Sequence, residues 1–205
     1  MYMRRSVLLM IAGVLVGLAV VAGVALARPY NLRGSAINPP VPAEDFVLTA
    51  GQGADWRLSD QRGRLVFIFF GYTTCPDICP ATLGELKQVR ARLGAQAEDV
   101  QVVFVTVDPQ RDTPDRMSKY ASAFDPSFVA LTGSEAALQP VWKAYGVFRA
   151  INENASGAGY LVDHSTRIYL IDRDGNLRVT YSFGTPIEDL VQDVKFLLRE
   201  KVVSQ

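Results

Sequence analysis

Histidine and cysteine are almost missing from this chain of 205 residues: there is one histidine, His164, and there are two cysteines, Cys75 and Cys79. So few thiols exclude a disulfide framework, and two cysteines cannot hold an iron–sulfur cluster alone. No charge sign is in excess, lysine plus arginine and aspartate plus glutamate both standing at 21. That balance supplies no strong field toward nucleic acid or an anionic surface, and no nucleic-acid partner is expected. Internal repeats, long low-complexity tracts, a glycine-rich phosphate loop and a Ser/His/Asp set at interpretable spacing are all lacking. Methionine is scarce as well: beyond Met1, Met3 and Met10 only Met117 remains, so there is no methionine-rich metal tract. The chemistry of the chain must come from very few side chains.

Apolar residues, by contrast, make up 49% of the chain, enough for one domain with a sizeable core. Residues 6–27 carry no charge and follow Arg4 and Arg5. As a helix this run spans roughly 33 Å, about one hydrocarbon core. It predicts a transmembrane anchor at 6–27, with 1–5 in the cytoplasm and the remainder across the membrane. Arg28 and Arg33 partly oppose that orientation. Ala25-Leu26-Ala27 reads as a cleavage site, so a removed signal peptide is the alternative, although the apolar part of such peptides usually covers about 7–15 residues. Residues 28–44, with Pro29, Pro39, Pro40 and Pro42, read as a proline-rich linker, leaving 45–205 for the folded domain.

Within that domain, short strands are expected at 46–48 and 56–58, and fully covered strands at 65–70 and 100–107. Helical spacing recurs after Cys79 up to Gly94, after Thr113-Pro114, and after Ser134 across Pro140. Residues 152–159 read as a loop. Asp172-Arg-Asp-Gly-Asn176 signals a hairpin, and Thr185-Pro-Ile-Glu188 reads as a capping box opening a last helix. The order ββ, βα, βα, βα, ββα predicts an α/β domain: a thioredoxin-like mixed sheet flanked by helices.

The cysteines follow the first covered strand as Cys75-Pro-Asp-Ile-Cys79-Pro80. Pro80 cannot lie deep in a helix, so the helix is expected to start there, with Cys79 near its N-cap. Both sulfurs would then sit at the positive end of the helix dipole, lowering their pKa. A structural disulfide closing so short a loop would contribute little chain entropy. Thiolates are soft ligands, and Asp163-His164-Ser165 is expected beside them at the same end of the sheet. Two sulfurs and an imidazole suit copper; with a water they could also hold zinc. A lone histidine that merely packs or bonds locally is the bland alternative. Asp77 is expected in the turn, as a backbone acceptor or orienting a partner, and Asp108 and Asp112 in turn or capping roles.

Three stretches, Phe69-Phe-Gly-Tyr-Thr-Thr-Cys-Pro-Asp-Ile-Cys-Pro80, Val107-Asp-Pro-Gln-Arg-Asp-Thr-Pro114 and Asp163-His-Ser165, together resemble the SCO/SenC/PrrC family. Its members are membrane-anchored copper proteins with a thioredoxin-like domain, in bacteria and mitochondria. The resemblance implies that Cys75, Cys79 and His164 bind Cu(I) or Cu(II), and that the chain helps assemble the copper A centre of cytochrome c oxidase. Its partner would be oxidase subunit II or another copper protein. A periplasm-facing domain on a bacterial inner membrane follows, since no Arg- and Ser-rich transit peptide is present. Two further roles use the same redox-active pair, Cys75 and Cys79: a thiol–disulfide oxidoreductase that keeps oxidase cysteines reduced, and redox signalling. Neither needs a metal.

Overall fold

The two central strands form because their sequences are apolar at all but Gln101 and Thr106, and β-branched or aromatic at most positions. In the computed structural model, β4 (Leu65–Gly71) and β5 (Val100–Thr106) are buried at every residue. They pair in parallel, with Leu65 opposite Val100 and Gly71 opposite Thr106. Around them the six-stranded sheet runs β1 (Ser35–Pro42), β10 (Asn176–Tyr181), β9 (Ile168–Ile171), β4, β5, β6 (Val129–Leu131), while β2 (Val47–Thr49) and β3 (Asp55–Arg57) pair separately. Both faces are covered, as a continuous apolar strand requires. On one, Phe69 stacks on Phe104 and Phe67 meets Tyr181, beside α1 (Ile78–Leu93) and α4 (Ile187–Leu197). On the other, Phe70 and Tyr169 pack against Tyr145, which ends α3 (Glu135–Ala144) and also touches Phe46. The remaining helix, α2 (Pro114–Ser122), is capped as its sequence predicts, Thr113 accepting from the Arg116 amide. Ser134 likewise caps α3, which continues through Pro140.

The structure describes residues 30–153 and 159–201, with positions 10–11, 13–18 and 20–21, which are helical and exposed. The chain divides into two compact units, Met1–Asn31 and Leu32–Gln205. Most of the expected anchor, and its cleavage alternative, lie outside the described residues, as do 154–158 of the loop at 152–159. Among the described residues, no helix is long and apolar enough to cross a membrane.

Several expectations need correction. The folded unit starts at Leu32, well before residue 45, and much of the expected linker is strand β1. Its prolines are tolerated because β1 lies at the sheet edge, where the register shifts between Ala36 and Val41. The helix after the cysteines starts at Ile78 rather than Pro80, with Asp77 as N-cap; Pro80 still falls in the first turn, where its missing N–H costs no helix bond. The Thr185 capping box does not form: the Thr185 hydroxyl donates to the Ser182 carbonyl and Pro186 is the N-cap. A ribbon was also missed. Strand β7 (Arg149–Asn152) pairs antiparallel with β8 (Leu161–His164), so His164 ends a strand of its own rather than preceding the hairpin directly. The hairpin β9–β10 turns where expected, with the Asp172 carboxylate accepting from the Asp174 and Asn176 amides.

Candidate metal centre

Strand β4 ends in Gly71 for a steric reason. A Cβ there would lie 2.6 Å from Cys79 Sγ and 2.8 Å from the Phe104 ring. The glycine therefore leaves the space into which α1 inserts the Cys79 sulfur, which is fully buried. Cys75 lies in the preceding turn and is half-buried. Its sulfur accepts from the Cys79 amide at 3.4 Å. Asp77 makes no side-chain cap bond. A sulfur thus fills the place at the helix N-terminus that an Asp or Ser oxygen normally takes.

The two thiols are not equivalent, against the expectation that the helix dipole lowers both. The Cys79 S–H, donated to Cys75, holds the Cys75 thiol at about 4; the Cys79 and Asp77 amides act the same way, against the cost of burial. Cys79 is pushed far up by that same bond, by burial and by the Cys75 charge. The pair is one thiolate and one thiol, sharing a proton on the buried sulfur.

His164 completes the group. Its Nδ1 lies 2.7 Å from the Ser165 carbonyl, which can only accept, so Nδ1 carries the proton and Nε2 presents its lone pair. Nε2 lies 3.8 Å from Cys79 Sγ, and the donor atoms of Cys75, Cys79 and His164 all fall within 4.8 Å of one another. Sulfur and nitrogen ligands on one three-coordinate ion, with bonds of about 2.3 and 2.0 Å, stand about 3.7 Å apart. The spacing fits a soft or borderline ion, and the Nδ1 bond is the usual second contact of a metal-binding imidazole.

The sequence motifs therefore converge as expected at Cys75, Cys79 and His164. Four further residues were missed or undervalued. Tyr72 meets the His164 ring edge-on at 5.7 Å and accepts from the Val162 amide at 3.3 Å. Asp112, 1% exposed, accepts from the Thr73 amide at 3.2 Å and from the Thr73 and Thr106 hydroxyls at 2.6 and 2.7 Å. Burial raises its pKa, with those bonds opposing. Asp108, fully buried, pairs with Arg111. The turn and capping roles first given to the two aspartates understate them. The available signal was the motif at 107–114, with two acids and an arginine crowded after a covered strand.

Known proteins bear on this geometry. The SCO2-like protein RP587 of Rickettsia prowazekii is 37% identical over 151 residues, which are 73% of this chain and 72% of that one. The copper-bound ScoI structure from Bradyrhizobium japonicum is 35% identical, with a TM-score of 0.70 over 77% of this chain and all of that one. BsSco, described as a Sco-family cytochrome c oxidase assembly protein with a disulfide switch, is 26% identical, with a TM-score of 0.63 over 82% of this chain and 99% of its own. The thioredoxin-like fold is shared with them. The SCO1/SenC family pattern matches residues 36–199, and the chain belongs to that family.

Proposed function

We propose that the chain is a copper-binding assembly factor for cytochrome c oxidase that holds the ion between Cys75, Cys79 and His164. The carrying observation is the convergence of two sulfurs and an unprotonated Nε2 within 4.8 Å. Two sulfurs and one imidazole suit copper in a trigonal site with at most a weak further ligand. The copper in the Bradyrhizobium relative and the assembly role named for BsSco support the same reading. Copper is cargo here. Cys75, half exposed, is the ligand an acceptor reaches first, while buried Cys79 keeps the ion from water. The acceptor would be oxidase subunit II or another copper protein. Residues 6–27 would anchor the chain in a bacterial inner membrane with its folded unit in the periplasm, a reading supported by the uncharged run behind Arg4 and Arg5.

The thiol pair favours a second reading. A half-exposed Cys75 thiolate beside a buried Cys79 thiol is the arrangement of a disulfide reductase. Cys75 would attack a target disulfide, and Cys79, giving up its proton, would displace the target thiol, so that two electrons pass and Cys75–Cys79 closes. Only the copper reading needs His164. The full chain, loaded anaerobically with one Cu(I), is mixed with the metal-free copper domain of subunit II and the two are separated. Copper should appear in the acceptor, and His164→Ala should cut that transfer while leaving thiol reduction of the oxidised acceptor intact. Transfer by His164→Ala at the normal rate would remove His164 from the site, and no transfer by the wild type would leave the reductase reading standing alone.

A further inference from the structure

The loop joining β5 to α2 supplies no metal donor, yet its Asp108 and Asp112 are among the most deeply buried acids of the chain. Its side chains reach in two directions. Toward the cysteines, Asp112 binds the amide and hydroxyl of Thr73, two residues before Cys75. Toward the histidine, Arg111 pairs with Asp108, donates to the Tyr160 carbonyl at 2.8 Å and lies 3.7 Å over the Tyr160 ring. The Tyr160 hydroxyl donates to Asp108 at 2.7 Å. The guanidinium carbon also lies over the Tyr72 ring, 5.6 Å from its centroid, and Tyr72 meets His164. A column of successive contacts, Tyr160 to Arg111 to Tyr72 to His164, results.

The column matters because of the topology. β8, which carries His164, pairs with β7 in a two-stranded ribbon that shares no ladder with the central sheet. An isolated two-stranded ribbon is marginal in water. Backbone pairing therefore does not fix His164 relative to the cysteines, and the three-residue link to β9 only tethers it; side-chain contacts set the rest. Most of those above end on this one loop, and from β7 Arg149 Nε adds a bond to the Val107 carbonyl.

We propose that the loop at 107–113 is a bracket setting the distance between His164 and the two thiols, with Arg111 the positioning residue for the imidazole and Asp112 for the cysteine turn. The proposal rests on the three-donor reading. It predicts that loosening the bracket releases the nitrogen ligand first, leaving a two-sulfur site. Cu(II), which draws more on the imidazole, should suffer more than Cu(I), which two thiolates suit.

The test uses the full chain in mild detergent, loaded with one Cu(II), with ligand nitrogen coupling read by electron paramagnetic resonance and affinities by competition. Arg111→Ala should lose the nitrogen coupling and about tenfold or more in Cu(II) affinity, with a much smaller loss for Cu(I). Arg111→Lys keeps a charge for Asp108 but not the planar fork between two rings, and should behave like Arg111→Ala. Tyr160→Ala, which removes the ring beside the guanidinium and leaves the loop itself intact, should move the same way and keeps the test open if Arg111→Ala does not fold. His164→Ala is the reference. If wild type and His164→Ala share one spectrum and affinity, the three-donor reading falls and the bracket with it. If His164→Ala loses the coupling while folded Arg111 and Tyr160 variants keep wild-type coupling and Cu(II) affinity, the bracket alone is overturned, whatever their melting temperatures.

Discussion

Two buried carboxylates do similar physical work in different parts of the domain. Asp193, on α4, accepts from the Arg33 amide at 3.0 and 2.9 Å, from the Gly34 amide at 3.2 Å and from the Tyr181 hydroxyl at 2.9 Å. Asp112 accepts from one amide and two hydroxyls beside the cysteines. Each pins an irregular segment with donors that would otherwise be buried and unpaired. Asp193 fastens the segment entering β1, where only order is required. Asp112 fastens a turn whose shape decides where a sulfur sits. One chemical device serves stability in the first place and ligand geometry in the second.

Breaking Asp193 should therefore have the largest effect on folding and none on the metal. Asp193→Ala is expected to lower stability by about 3 kcal/mol in urea unfolding, because three donors, the Arg33 and Gly34 amides and the Tyr181 hydroxyl, lose their acceptor. Copper stoichiometry of the folded protein should be unchanged. Asp112→Ala also frees three donors but should cost less, about 2 kcal/mol, because burial already raises the pKa of its carboxyl and offsets part of what those bonds contribute; it should also weaken copper binding about tenfold. Equal metal affinity in the two variants would erase the distinction between them.

Gly71→Ala sharpens the same contrast with no change of charge. The added methyl meets Cys79 Sγ at 2.6 Å, so about 1–2 kcal/mol of overpacking should come with a displaced sulfur and weaker copper binding. The smallest expected effect is on reactivity alone. With its pKa lowered to about 4, Cys75 of the metal-free chain is a thiolate throughout the neutral range. Iodoacetamide modification should stay rapid as pH falls from 8 to about 5 and slow only as the thiolate is protonated near 4, while Cys79 stays unmodified. A rate already about fivefold lower at pH 7.5 than at 8.5 would mean an ordinary thiol.

Most of the framework was readable because covered strands, caps and hairpin turns are local signals. The runs ending in Gly71 and Thr106, the Thr113 and Ser134 caps and the turn after Asp172 all stand where the sequence puts them. The three donors were readable because one histidine and two cysteines leave few choices. What escaped was set by long-range contact. A proline-rich stretch became an edge strand because β10 offered it a partner. The β7–β8 ribbon was hidden, since Arg149 and Ala150 carry no strand signature and are held by pairing with His164 and Asp163. The inequality of the thiols came from one sulfur being buried against the other, which no dipole argument contains.

The central claim is that two sulfurs and one imidazole nitrogen hold copper together. X-ray absorption fine structure on the full chain loaded with one Cu(I) reads that ligand set directly. The account predicts two sulfur scatterers near 2.2–2.3 Å and one imidazole nitrogen near 2.0 Å, the nitrogen shell vanishing in His164→Ala. A shell of two sulfurs without nitrogen, identical in wild type and His164→Ala, would contradict it.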